Sequence, residues 1–285
     1  MKIITKTAIV LLTTGVLFSC NSEEAKTEND TTKKKKTGIV DIDTTNSFTS
    51  DEFEFILPRP FALAASFEEA GMTYDETRMN SLENLDSYKT EGKQILNFGV
   101  YSTDLVYNIT NEQPQYSMKY FKALKTLADR IGMGRIFTED ELALKIEKNI
   151  ANREKMEDLL VDVHEASQEY LQNNQLRFLS VIQFAGAWIE GMYLASFDFD
   201  QKDHKVISNK IVDHMTLLNN TIKGIKLYED RDEDLQKVLD GLIDIQTTYN
   251  NFESVKNAEG MPKLTREEIN VFKKKIQEVR SLIIS

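Results

Sequence analysis

The chain has 285 residues, of which 41% are hydrophobic and 28% charged, the composition of an ordinary globular protein rather than a disordered or fibrous one. Twelve glycines and four prolines are too few for the many turns of an all-β protein of this length. A single cysteine excludes an internal disulfide framework and a multi-thiolate metal centre, and three histidines exclude most histidine-rich metal sites. The formal net charge is −11.

Residues 1–19 read as a secretory leader. Lys2 and Lys6 precede an apolar run from Ala8 to Phe18, which falls short of the roughly 20 residues a bilayer-spanning helix needs. The segment Leu17-Phe18-Ser19-Cys20 that follows resembles the lipobox of bacterial lipoproteins, although Phe18 is bulkier than usual at its position. The resemblance implies that Cys20, the sole cysteine, is diacylated and becomes the mature N-terminus. Two acyl chains anchor stably where one is marginal, because each buried methylene contributes about 0.8 kcal/mol.

Residues 20–50 are expected to form the lipidated cysteine and a disordered tether. From Asn21 to Gly38 no apolar residue is larger than alanine, so too little surface can be buried to offset the entropy of ordering. The Lys33–Lys36 run sits beside Glu23, Glu24, Glu28 and Asp30 and reads as a solvated spacer. Ser22-Glu23-Glu24, directly after the cysteine, resembles the export signal of surface-displayed Bacteroidota lipoproteins and implies outward display, with a periplasm-facing location as the alternative. Without the leader's two lysines and the tether's five lysines and six acids, 28 bases face 40 acids, a net charge of about −12. Such a body repels phosphate backbones, so nucleic acid is not an expected partner.

Residues 51–285 are expected to form one all-α domain, a multi-helix antiparallel bundle or a short irregular α-solenoid of about 8–9 helices. Three- and four-residue steps of apolar side chains predict helices over 60–70, 77–90, 92–110, 114–131, 139–171, 174–197, 204–228, 231–253 and 265–283. Thr138 with Glu141, and Thr265 with Glu268, have capping-box spacing. Gly132 and Gly134 mark the stop of the helix before Thr138, and 139–171 loses phase between Ile150 and Met156, where a bend or break is expected. Phe53–Leu57 is the one short strand candidate.

The 174–197 helix is apolar around nearly its whole circumference and is therefore expected at the centre of the fold. Gln183, Gly186, Ala187, Glu190 and Leu194 form its one distinctive stripe. Either Glu190 pairs with an arginine such as Arg130, Arg153 or Arg177 while Gly186, Ala187 and Gly191 allow a close helix crossing, or Gln183, Gly186 and Glu190 line a pocket. Trp188 points to another sector and is expected in the core. Lys93, Asn97, Tyr101, Asp104 and Asn108 share a polar sector of the 92–110 helix, either solvated or lining a groove, with Tyr101 and Asp104 as the groove candidates. His214, between Ile211 and Leu218, is expected to be a core histidine.

Asn97-Phe-Gly-Val-Tyr-Ser-Thr-Asp-Leu-Val-Tyr107 and Ala185-Gly-Ala-Trp-Ile-Glu-Gly-Met-Tyr193 resemble motifs of a family of Bacteroidota lipoproteins of similar length. The likeness runs from about Pro58 to Phe197, and Gly186-Ala187 stands where the family pattern has Gly-Gly. The resemblance implies compartment and architecture and brings no activity with it.

No di-iron Glu-x-x-His, His-Glu-x-x-His, Gly-x-Ser-x-Gly or Ser-x-x-Lys pattern is present, and no phosphate-cradling glycine loop. No cofactor, metal or catalytic residue is expected. The sequence favours a lipid-anchored, non-enzymatic protein that binds an envelope protein or glycan. The alternatives are a structural or assembly subunit of an outer-membrane complex and, less favoured, a carboxylate-dependent hydrolase.

Overall fold

The computed structural model describes the backbone of residues 47–50 and 53–56, and residues 73–138, 141–173, 176–199 and 203–285 in full, with the backbone alone at His204. The leader, Cys20, most of the tether and the expected 60–70 helix lie outside the described residues. Strand β1 (Ser47–Ser50) pairs antiparallel with β2 (Phe53–Ile56), Ser47 opposite Ile56 and Ser50 opposite Phe53. The hairpin includes Phe53–Ile56 of the strand candidate, Leu57 lying outside the described residues, and takes in the last four residues of the expected tether.

Helices dominate the remainder, as the apolar periodicity requires. They are α1 (Glu91–Thr110), α2 (Pro114–Arg130), α3 (Arg135–Thr138), α4 (Leu142–Asn149), α5 (Arg153–Asn173), α6 (Arg177–Ser196), α7 (His204–Leu227), α8 (Glu233–Asn250), α9 (Glu253–Lys256) and α10 (Arg266–Ile284). The fold is an all-α multi-helix bundle. α1 and α6 form its centre and make the most extensive interface. α2 packs on α1, α10 packs on α8, α6 and α1, and α5 and α7 close over α6.

Several boundaries follow directly from side-chain chemistry. Thr265 and Glu268 form the expected reciprocal capping box at the start of α10. Gly132, at φ 77°, ends α2 in a Schellman motif: Met133 N–H donates to Ala128 O at 2.7 Å and Gly132 N–H to Asp129 O at 3.3 Å. The same motif ends α1, but with Glu112 at φ 55° in the left-handed position. The phase break in 139–171 separates α4 from α5, and Asn152 caps α5 by accepting from Lys155 N–H at 3.0 Å.

Three expectations are corrected. Thr138 does not cap α4; it ends α3, its hydroxyl donates to Arg135 O, and α4 starts after Glu141, which sits at φ 56°. The 231–253 segment is two helices, because Phe252 is extended (ψ 136°) between α8 and α9. The 77–90 segment is not an α-helix: it holds two 3-10 turns, Glu76–Arg78 and Leu82–Asp86, with Met79 extended between them. Asp75 and Ser81 side chains accept from Thr77 and Glu83 N–H, offering the backbone local partners that compete with a continuing helix.

α6 is, among the described residues, the helix long and apolar enough to cross a membrane, yet 83% of its apolar window is buried within the protein. Its apolarity thus belongs to a core helix, and Trp188 is buried on it.

Candidate functional site

The two sequence segments with unusual chemistry meet at one crossing. A Cβ on Gly99 of α1 would lie 1.9 Å from Gln183 O of α6, and a Cβ on Gly186 of α6 would lie 1.9 Å from Leu96 O of α1. Each glycine therefore admits the other helix's backbone, and Thr103 Oγ1 bridges the crossing by donating to Ala187 O at 3.2 Å. The close-crossing alternative holds for Gly186. The pocket alternative does not, because the space above Gly186 is filled by α1. Gln183 is half-buried beside the same crossing, its carbonyl against Gly99.

Glu190 lies one turn further along α6 and is 0% exposed. Its partner is Arg280 of α10 rather than Arg130, Arg153 or Arg177. Arg280 Nε donates to Glu190 Oε2 at 2.6 Å and Nη2 to Oε1 at 2.8 Å, a bidentate fork. The guanidinium also stacks 3.8 Å from the Tyr193 ring centroid and donates to Arg78 O at 3.2 Å. Arg130 instead holds Leu85 O and Asp86, and Arg153 holds Glu157 and Thr110 O.

The polar sector of α1 is neither solvated nor an open groove. Asn97, Tyr101, Asp104 and Asn108 are all 0% exposed, covered by the chain's own segment 73–90, hereafter the strap. The bundle's side chains bind the strap largely through its main chain. Tyr101 OH donates to Ser81 O, Tyr120 OH to Asn80 O and Tyr107 OH to Thr73 O, at 2.8–2.9 Å. Asn80 is the hub. Its N–H donates to Asp104 Oδ2 at 3.1 Å, and its amide donates to Tyr88 OH at 2.9 Å and Asn97 Oδ1 at 3.2 Å. At the strap's start, Asp198 accepts from Thr73 N–H at 2.9 Å and from Arg78 at 3.3 Å.

Asp104 therefore lies between the strap and Glu190. Burial, reinforced by the nearby Glu190 charge, pushes its carboxyl well above the ordinary range. Burial also raises the phenols of Tyr101 and Tyr120. The resulting centre comprises two acids, one arginine and a ring of neutral phenols. Neither acid has any exposed surface, so in this conformation the pair meets no substrate.

Elsewhere, a cleft of about 250 Å³ opens where the start of α1 meets the α7–α8 loop. Thr90, Glu91, Tyr228, Asp230 and Asp232 line it over Ile95, Ile182 and Leu235. Asp232 is fully engaged there, accepting from Gly92 N–H at 2.9 Å and Leu235 N–H at 2.7 Å. His214 is 2% exposed, in the core as expected, and burial with the Lys210 charge lowers its pKa to about 4. Among the described residues no three His, Cys, Asp or Glu side chains cluster as a metal site would require.

Sequence reasoning missed Arg280 and misplaced the surroundings of Asp104. Both left a signal. Arg280 lies four residues after Ile276 and three before Ile283, on the apolar stripe of its helix, where an arginine needs a buried partner. Beyond Lys93, the α1 polar sector is amides, a phenol and a single acid, without the lysines and glutamates of a solvated face. No family model, curated protein or solved structure matches the chain.

Proposed function

We propose that the protein is a lipid-anchored envelope protein whose helical body binds a ligand or partner without chemistry of its own, held at the outer membrane through an acylated Cys20. One observation carries the reading: the only cysteine of 285 residues follows a basic, then short apolar leader in the sequence Leu17-Phe18-Ser19-Cys20. The acidic Ser22-Glu23-Glu24 supports display on the outer face. The body supports binding over hydrolysis because Glu190, the acid a hydrolase would use, has both oxygens on Arg280 and no exposure.

Fractionation of cells carrying the wild-type chain or Cys20→Ser tests the anchor. The wild type partitions with the outer membrane and Cys20→Ser with the soluble fraction. An identical distribution of the two contradicts the reading. Externally added protease should clip the wild type at Lys33–Lys36 in unbroken cells, whereas protection would place the body on the periplasmic side.

A further inference from the structure

We propose that Asp104 is buried beneath the strap as the neutral acid and that its proton is the latch holding the strap on the bundle, so that losing it opens the strap. Asp104 has no exposed surface, and a buried carboxylate without a cationic partner of its own favours its neutral form. Glu190 spends both oxygens on Arg280 Nε and Nη2. Asp104 Oδ2 accepts from Asn80 N–H, while Oδ1 has no protein donor. With Asp104 protonated, the buried charges of Glu190 and Arg280 balance.

The groups facing Asp104 leave no other source of balance. Glu190 and Tyr193 reach it from α6, Tyr120 from α2, Arg280 from α10 and Tyr101 from α1 itself. Arg280 contributes one positive charge and the phenols none. Ionising Asp104 would bury a second carboxylate near that one guanidinium, away from water, a state costly enough that a rearrangement hydrating Asp104 is favoured. The strap is the element able to move. It holds no α-helix, and Asn80, which donates to Asp104, is its most connected residue. An element bound chiefly by bonds to its main chain, outside any regular helix or sheet, belongs to the low-stability end of a fold.

Hydrogen exchange of the full chain between pH 6 and 9 tests the latch, read as protection relative to the intrinsic rate of an unstructured peptide at each pH. Strap amides at Met79, Asn80 and Ser81 should exchange through an opening that leaves bundle amides such as Ile189 protected. Their protection should fall about tenfold per pH unit, the slope of one proton released on opening, until Asp104 itself ionises. Asp104→Asn keeps the acceptor for Asn80 and cannot ionise, so its strap protection should not depend on pH. A flat wild-type profile, equal slopes in the two proteins, or strap and bundle amides exchanging with one common protection overturns the proposal. Should Asp104→Asn fail to fold, infrared spectroscopy of the wild type decides. The carbonyl stretch of an un-ionised carboxylic acid must be present at pH 7 and vanish over the pH range in which strap protection is lost. Its absence at pH 7, or its persistence after the strap opens, overturns the proposal.

Discussion

Glu190 and Arg280, ninety residues apart in the chain, meet in a two-bond fork of 2.6 and 2.8 Å at the point where α6, α10 and the strap converge. A buried pair of this kind adds little net stability against a well-packed apolar replacement, but removing one partner strands the other's charge. Glu190→Gln and Arg280→Met should each destabilise by about 3–5 kcal/mol, whereas the double replacement Glu190→Leu with Arg280→Met should recover most of the loss. Urea unfolding midpoints provide the comparison. A Glu190→Gln variant of wild-type stability would mean that the fork is not formed.

Gly99 and Gly186 set the distance between the two central helices. A methyl group on either meets a backbone carbonyl oxygen that cannot rotate away. Gly99→Ala and Gly186→Ala should each cost about 3 kcal/mol, the upper part of the overpacking range, and the pair together should cost less than the sum because one helix separation relieves both clashes. Thermal unfolding of the three variants measures this. Additive losses would show that the two glycines do not share one contact.

Glu112 and Gly132 occupy the same left-handed position in matching helix ends. Glycine adopts that conformation without the Cβ penalty a glutamate carries. Glu112→Gly should therefore stabilise the protein by up to about 1 kcal/mol, and Gly132→Ala should destabilise it by about the same amount. Equal signs for the two changes in chemical denaturation would contradict the assignment of these caps.

His214 gives stability a defined acid dependence. Its pKa falls from 6.5 to about 4 on folding, so between those values the unfolded chain binds the proton and the folded one does not. Its contribution is complete above pH 6.5 and is lost as pH falls toward 4, amounting to about 3 kcal/mol over that interval. Titration of the His214 ring resonances by NMR checks the folded value, and an ordinary midpoint near 6.5 would show that the ring is hydrated.

The helices were legible where one apolar stripe repeats without a break, as in α7, α8 and α10, because burial of such a stripe leaves a helix few alternatives. The Gly186 crossing was legible from small residues on an otherwise apolar helix. The strap was not. Its apolar spacing suits a helix, but Asp75, Asn80 and Ser81 divert its hydrogen bonds, and the partners of its main chain are Tyr101, Tyr107 and Tyr120 on other segments. Glu190's partner was equally hidden, because the long-range meeting of α6 with α10 is decided by packing and not by local spacing. Asp104 shows the limit most clearly: the helical wheel gives the correct sector, and only the tertiary fold reveals that the strap covers it.

Mass spectrometry of the N-terminal peptide, from protein extracted with detergent out of the native envelope, tests the membrane anchor most directly. A chain beginning at Cys20 and carrying a diacylglyceryl group is the predicted result. A chain that retains Met1, or a Cys20 with an unmodified thiol, would contradict it.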